Sequence, residues 1–300
     1  MLMQNKVAWI GAELGWGAGK PEVEQAPRAL VEAGLTQQYP FKSISTMSPM
    51  EYASSGLKKT FEEKMALIKS FNGQLADRVE QVCDQGYFPL VIGGDHAIAM
   101  GTWQGVKAGK KIENLGLIWI DAHLDAHTPE TTPSKNIHGM PVATLLGKGD
   151  LELVKLKSAD YTIKPEHIVM IGIRSADPGE TKLIQSLGVR VYTMDEVKSR
   201  GIDHVMNEVN SLILSQTDGF GMSIDVDGFD PQYAPGTGTP EPNGLEPDLI
   251  IPHLMKMAQH PSFCALEIVE FNPTLDNDNK ATFNLVNRLI NELVFSKSKT

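Results

Sequence analysis

Leu115-Gly-Leu-Ile-Trp-Ile120, followed at once by Asp121-Ala-His123-Leu-Asp125, joins a six-residue apolar run to three ionisable side chains. The run is β-branched and aromatic and reads as a strand. It is apolar throughout instead of alternating, which is expected where both faces of a parallel sheet are covered by helices. The same grammar recurs at Lys6–Ile10, Phe88–Ile92, His167–Ile173, Val189–Tyr192, Phe220–Ile224 and Phe263–Val269. Between these strands lie Glu24–Gly34, Leu57–Gly86, Ala97–Ala108, Gly179–Leu187, His204–Ser215, Pro247–Gln259 and Ala281–Phe295, whose apolar residues recur at helical spacing. Strand followed by helix, repeated, predicts an α/β fold with a parallel sheet.

No Pro/Gly/Ser-rich linker or composition shift divides the 300 residues, so one domain spanning 1–300 is expected. Apolar residues make up 41% and charged residues 21%, which excludes a disordered chain. A formal net charge of −10 argues against nucleic-acid or anionic-membrane partners and favours a cationic substrate. Two cysteines, Cys83 and Cys264, are too few for a disulfide framework. No signal peptide or bilayer-spanning run is legible, so a cytoplasmic protein is expected. The glycine-rich stretch Gly11–Lys20 follows a strand, yet it matches neither GxGxxG nor the Walker pattern. Three loops, Pro40–Ser54, Ala126–Ile137 and Asp230–Leu245, exceed the usual connection length and invite a functional explanation.

Acidic and imidazole side chains collect just past the strand ends and almost nowhere inside strands. That is the edge at which open α/β sheets bind ligands. Gly93-Gly94-Asp95-His96 follows one strand, Asp225-Val-Asp227 another and Glu270 a fourth. Residues two apart in extended chain share a side, so Asp121, His123 and Asp125 are expected to aim one way, as are Asp225 and Asp227. With His96 they offer two imidazoles and four carboxylates, enough for two divalent ions and better suited to Mn²⁺ than to a thiolate-bound zinc. Such a pair acidifies water and orients an electrophile, which points to metal-assisted hydrolysis. Glu270 is suited to a guanidinium, which takes a carboxylate in bidentate geometry.

Four ordered motifs, spread over essentially the whole chain, resemble those of the ureohydrolases, the family of arginases, agmatinases and related guanidino hydrolases. Gly93–His96 is similar to GGDH, Asp121–Asp125 to DAHxD, Asp225–Pro240 to DVDxxDPxxxPxTGTP and Glu270–Pro273 to the EVNP-type segment. The resemblance implies a three-layer open parallel sheet flanked by helices, two Mn²⁺ ions per subunit, urea release from a small guanidino substrate, and assembly as a homotrimer or homohexamer. By motif position, His96, Asp121, Asp125 and Asp225 resemble ligands of one ion, and Asp121, His123, Asp225 and Asp227 those of the other. Asp125 would orient the nucleophile and His138 would shuttle protons, as the arginase histidine is thought to do. Thr239 and Glu270 would hold the guanidinium, and Asp177, assisted by Glu180, the α-amino group.

The stretch from His127 through Ser134, Asn136 and His138 to Pro141 resembles arginase more than agmatinase, since arginases use such a loop for the α-carboxylate. Two residues depart from that pattern: His127 stands where arginases have Asn, and Lys135 where they have Gly. Lys135 is expected to attract a carboxylate if it faces the pocket. The resemblance therefore implies hydrolysis of L-arginine to ornithine and urea, with agmatine or a guanidino acid such as guanidinobutyrate as the alternative substrate. A metal-binding relative without catalysis is the second alternative. The remaining histidines, His167, His204, His253 and His260, have no clustered partner in the sequence and are expected to be structural or solvated, and the four tryptophans to pack.

Overall fold

The computed structural model describes residues 6–49 and 59–296. Parts of the Pro40–Ser54 loop, the start of the Leu57–Gly86 helix and the basic residues Lys297–Lys299 fall outside them. Eight parallel strands form one sheet: β1 (Val7–Ala12), β2 (Ser43–Met47), β3 (Phe88–Gly93), β4 (Leu115–Ile120), β5 (Ile168–Ile173), β6 (Arg190–Thr193), β7 (Gly219–Asp225) and β8 (Phe263–Val269). Their order is β2-β1-β3-β8-β7-β4-β5-β6. The four strands whose ends carry the predicted site residues, β3, β8, β7 and β4, are thus consecutive neighbours at the centre of the sheet.

Seven strands match the sequence reading, and β2 corrects it. Ser43–Met47 lay inside a predicted loop, but it pairs with β1 as an edge strand whose residues alternate between half-buried and exposed. Three of its five residues are Ser or Thr, so it lacks the apolar run that marks a central strand.

Helices cover both faces. The longer ones are α1 (Phe61–Asp84), α2 (Ala99–Lys110), α3 (Pro178–Leu187), α4 (Ile202–Gln216), α5 (Pro247–Ala258) and α6 (Ala281–Ile290). Alternate residues of each strand serve different cores: Val7 and Trp9 pack with α4, α5 and α6, whereas Ala8 and Ile10 pack with α1 and α2. Helix α1 begins where Thr60 accepts a hydrogen bond from the Glu63 N–H and the Glu63 carboxylate accepts from the Thr60 N–H. Helix α2 follows His96 and lies close against α1. A Cβ at Gly105 would stand 2.6 Å from the Ala76 carbonyl oxygen, so that glycine is what admits the approach. No helix among the described residues is long and apolar enough to cross a membrane.

Candidate metal centre and substrate pocket

The two imidazoles and four carboxylates converge. His96 Nδ1 lies 3.2 Å from Asp121 Oδ2, 3.0 Å from Asp125 Oδ2 and 3.2 Å from Asp225 Oδ2. His123 Nδ1 lies 3.2 Å from Asp227 Oδ2 and 3.5 Å from Asp121 Oδ1. His96, Asp121 and Asp225 form one cluster able to hold a metal ion, and Asp121, His123 and Asp227 a second that shares Asp121. The convergence is not produced by strand alternation, as the sequence reading expected. Asp121 lies beyond the end of β4 and its carboxylate accepts from the His123 N–H, while Asp125 turns the chain through a left-handed φ of 48°. Asp225 is the last residue of β7, and its carboxylate accepts from the Asp227 N–H at the start of a single 3₁₀ turn. Bends held by aspartate side chains aim the ligands.

Electrostatics mark the cluster as short of positive charge. Burial raises the Asp125 pKa to about 7, and the Asp121 charge adds to the effect. Burial and the charges of Asp227 and Asp121 push Asp225 well above the usual carboxylate range. The chemistry of His96 fits a cation in the middle. Ser223 Oγ donates to Glu267 Oε2 and so accepts from His96 Nε2, which leaves the Nδ1 lone pair facing three carboxylate oxygens. Nδ1 is buried and has no hydrogen-bond partner. A divalent ion satisfies that atom and the carboxylates together.

This supporting layer corrects two expectations. Glu267 is a fully buried acid in the interior of β8, where none was expected, and it also accepts from Trp103 Nε1. Trp119 does more than pack: its ring stacks on His96 at 4.0 Å and its Nε1 donates to Asp121 Oδ2. Arg174, not singled out in the sequence, donates to the carbonyls of Gly172, Asp227, Gly228, Phe229, Glu241 and Pro242. It pins the loop that carries Asp227 and Thr239. Six carbonyls converging on one side chain leave no trace in a single sequence.

Glu270 and His138 sit side by side. Glu270 Oε1 lies 2.8 Å from His138 Nδ1 and accepts from the His96 N–H at 2.9 Å. Burial opposes a charge on His138, but the Glu270 carboxylate overcomes it and raises the imidazole pKa to about 9. Glu270 adopts a φ of 62°, a left-handed conformation that places its carboxylate behind His138. The glycine-rich loop that matched no phosphate cradle turns out to be the brace beneath this pair. Gly17 N–H donates to Asp95, and the Gly17 carbonyl accepts from the N–H groups of Ile137 and His138. A Cβ at Gly17 would lie 2.6 Å from an Asp95 oxygen.

A cavity of about 320 Å³ opens above the cluster and brings together His123, Asp125, His138, Asp225, Asp227 and Thr239 with His127, Ser134, Asn136, Asp177 and Glu180. His96, Asp121 and Glu270 lie beneath it, essentially buried. Thr239 Oγ1 donates to Asp227 Oδ2 at 2.9 Å, which ties it to the metal cluster. Glu180 uses its oxygens to accept from the N–H groups of Ala126 and Asp177, so it shapes the pocket wall. Lys135 faces away: its ammonium donates to the Pro129 carbonyl and lies over the Phe61 ring, so it adds no attraction inside the pocket. Of the remaining histidines, His253 pairs with Asp203, and His204 with Glu208, which also holds Arg200; His204 is therefore part of a small surface ion-pair cluster. Cys83 and Cys264 are free thiols.

The chain matches the model of the Arginase family over residues 5–296. It is 40% identical to the arginase of Bacillus caldovelox over 282 residues, covering 91% of this chain and 93% of that protein. The native structure of the same enzyme superposes with a TM-score of 0.89 at 37% identity, covering 98% of this chain and 99% of the other. Entamoeba histolytica arginase, solved in complex with L-ornithine, superposes with a TM-score of 0.87 at 32% identity, covering 99% and 100% of the two chains.

Proposed function

Because the chain belongs to the arginase family, we propose that it hydrolyses L-arginine to L-ornithine and urea with two Mn²⁺ ions per subunit. The observation that carries this reading is the buried His96 Nδ1, without a hydrogen-bond partner among three carboxylate oxygens. In the proposal His96, Asp121, Asp125 and Asp225 hold one ion and Asp121, His123, Asp225 and Asp227 the other. Bound divalent ions supply the Lewis acidity that makes water nucleophilic near neutral pH.

The chain's own residues do the rest. Asp125, buried at the floor of the pocket, accepts a hydrogen bond from the attacking water and orients it. Glu270 has Oε1 engaged by the His96 N–H and by His138, so Oε2 is left to pair with the guanidinium. Thr239, tied to Asp227, sets the other side of that group. His138, held charged at neutral pH by Glu270, supplies the proton that the departing amine needs. Asp177 meets the substrate's α-ammonium, while Ser134, Asn136 and His127 meet its carboxylate. Family resemblance supports one catalytic domain in a cytoplasmic homotrimer or homohexamer.

Protein stripped with a chelator and then reloaded with Mn²⁺ tests the reading through metal content and urea release. Two ions per chain, with urea formed from L-arginine only after reloading, is the expected result. Two bound ions without turnover of any guanidino compound would replace it with the non-catalytic reading.

A further inference from the structure

The outer end of the pocket contains a third group of ligand-type atoms, separate from the central cluster. His127 Nε2 lies 3.2 Å from Asp177 Oδ2 and 3.4 Å from Glu180 Oε2, and all three ligand atoms fall within 4.8 Å of one another. The His127–Asp177 contact is a hydrogen bond longer than the ~2.7–2.9 Å of a charge-assisted one. Ligands about 2.0–2.2 Å from a tetrahedral zinc stand about 3.4 Å apart, close to the 3.2 and 3.4 Å from His127 Nε2 to the two carboxylate oxygens. The distances from His96 Nδ1 to its carboxylates, 3.0 and 3.2 Å, are similar, though His96 Nδ1 lacks the hydrogen bond that His127 Nε2 makes.

The imidazole is also oriented as a metal-binding histidine would be. Thr131 Oγ1 accepts from the Thr128 N–H at 2.8 Å and is the hydrogen-bond partner of His127 Nδ1 at 3.2 Å. Nδ1 is thereby engaged, and Nε2 is the ring nitrogen that faces the two carboxylates, within hydrogen-bond distance of Asp177 Oδ2. The His127 backbone N–H is bonded to the Gly139 carbonyl at 2.8 Å, and His127 and Glu180 are more than nine-tenths buried. Asp177 keeps half its side chain exposed on the cavity side, where water would complete the coordination. The N-terminus of α3 presents a partial positive charge here, but two carboxylate charges outweigh the half-charge of a helix end.

We propose that His127, Asp177 and Glu180 form a third divalent-metal site, with a preference for zinc over manganese, that closes the outer end of the pocket when filled. Zinc seated there engages the carboxylate of Asp177 and excludes the substrate's amino-acid head. That competition, though not the site itself, rests on the reading of Asp177 as a substrate contact.

Protein carrying two Mn²⁺ per chain is dialysed against zinc, and total bound metal is counted by mass spectrometry for the native chain, His127→Asn and Asp177→Asn. Calorimetry gives the affinity of the added ion. Three ions in the native chain and two in each variant are expected. At a zinc level that fills the site, inhibition raises the KM for L-arginine with kcat unchanged, and His127→Asn weakens it by about tenfold or more. Two ions in the native chain would overturn the proposal, leaving hydrogen bonds as the only link among the three side chains, and three ions in all proteins would place zinc elsewhere. The ion count reads the site even if L-arginine is not turned over, so failure of the site and failure of the proposed activity give different results. Equal manganese content in all three proteins shows that the variants fold.

Discussion

The two ends of the pocket are built differently. At the inner end, His96, Asp121, Asp225 and Glu270 come from the ends of four adjacent strands, are essentially buried, and are aimed by backbone N–H groups and by Trp119 and Ser223. At the outer end, Ser134, Asn136 and His127 come from a loop and Asp177 from the first turn of α3, with half of the Asp177 side chain exposed. The inner end is over-determined, each of these side chains being held by contacts from other residues. The outer end rests on a loop and one helix turn, and the two residues read in the sequence as departing from the arginase resemblance, His127 and Lys135, both lie on that loop.

Asp121→Asn tests the contrast most severely, because it removes a donor shared by both clusters. Loss of kcat/KM by about 10³-fold or more, with metal content falling below two, is expected; retention of both ions and of activity would break the contrast. Next in size is the stability of the chelated protein as pH rises. His138 keeps its proton up to about 9 against an ordinary 6.5, so the stability it lends is full below 6.5 and is lost as pH climbs through 9. Asp125, raised from 3.8 to about 7, acts in the same direction, since burying its ionised form costs more as pH rises across that interval. Metal ions replace the proton on Asp125 but not the one on His138, so the Tm gap between loaded and chelated protein should widen from about pH 5 to about pH 7. A constant or narrowing gap in calorimetric melts would contradict the electrostatic reading.

Ser223→Ala sharpens the comparison by one layer. It removes the acceptor that fixes the His96 tautomer, and manganese affinity by calorimetry should fall about 10- to 100-fold. Lys135→Gly is the smallest change. The ammonium faces away from the pocket, so the KM for L-arginine should stay within about twofold, while Gly at a φ of 59° leaves Tm unchanged or slightly raised. A large KM change would put Lys135 back in the pocket.

The inner end was legible in the sequence because a parallel sheet writes its strands as apolar runs and its ligand edge as the residues that follow them. Asp121, His123, Asp125, Asp225 and Asp227 stood out on that ground alone. What escaped is what depends on distance in space. Glu267 was hidden inside a strand run, Arg174 acts through six carbonyls, and β2 is too polar at the sheet edge to resemble its neighbours. Strand alternation was the wrong reason for a correct convergence, since aspartate-held bends and the left-handed Asp125 do the aiming. The outer end was readable only through family resemblance, and the orientation of Lys135 is decided by Pro129 and Phe61.

The most direct test is the ratio of kcat/KM for L-arginine to that for agmatine, measured on Mn²⁺-loaded protein by urea release. The two substrates share the guanidinium and differ in the carboxylate that only the outer end can recognise. A ratio of about 10² or more in favour of L-arginine is predicted, the discrimination expected when a substrate lacks a charged group that its site is built to bind. A ratio near or below unity would keep the hydrolytic centre and overturn arginine as the substrate.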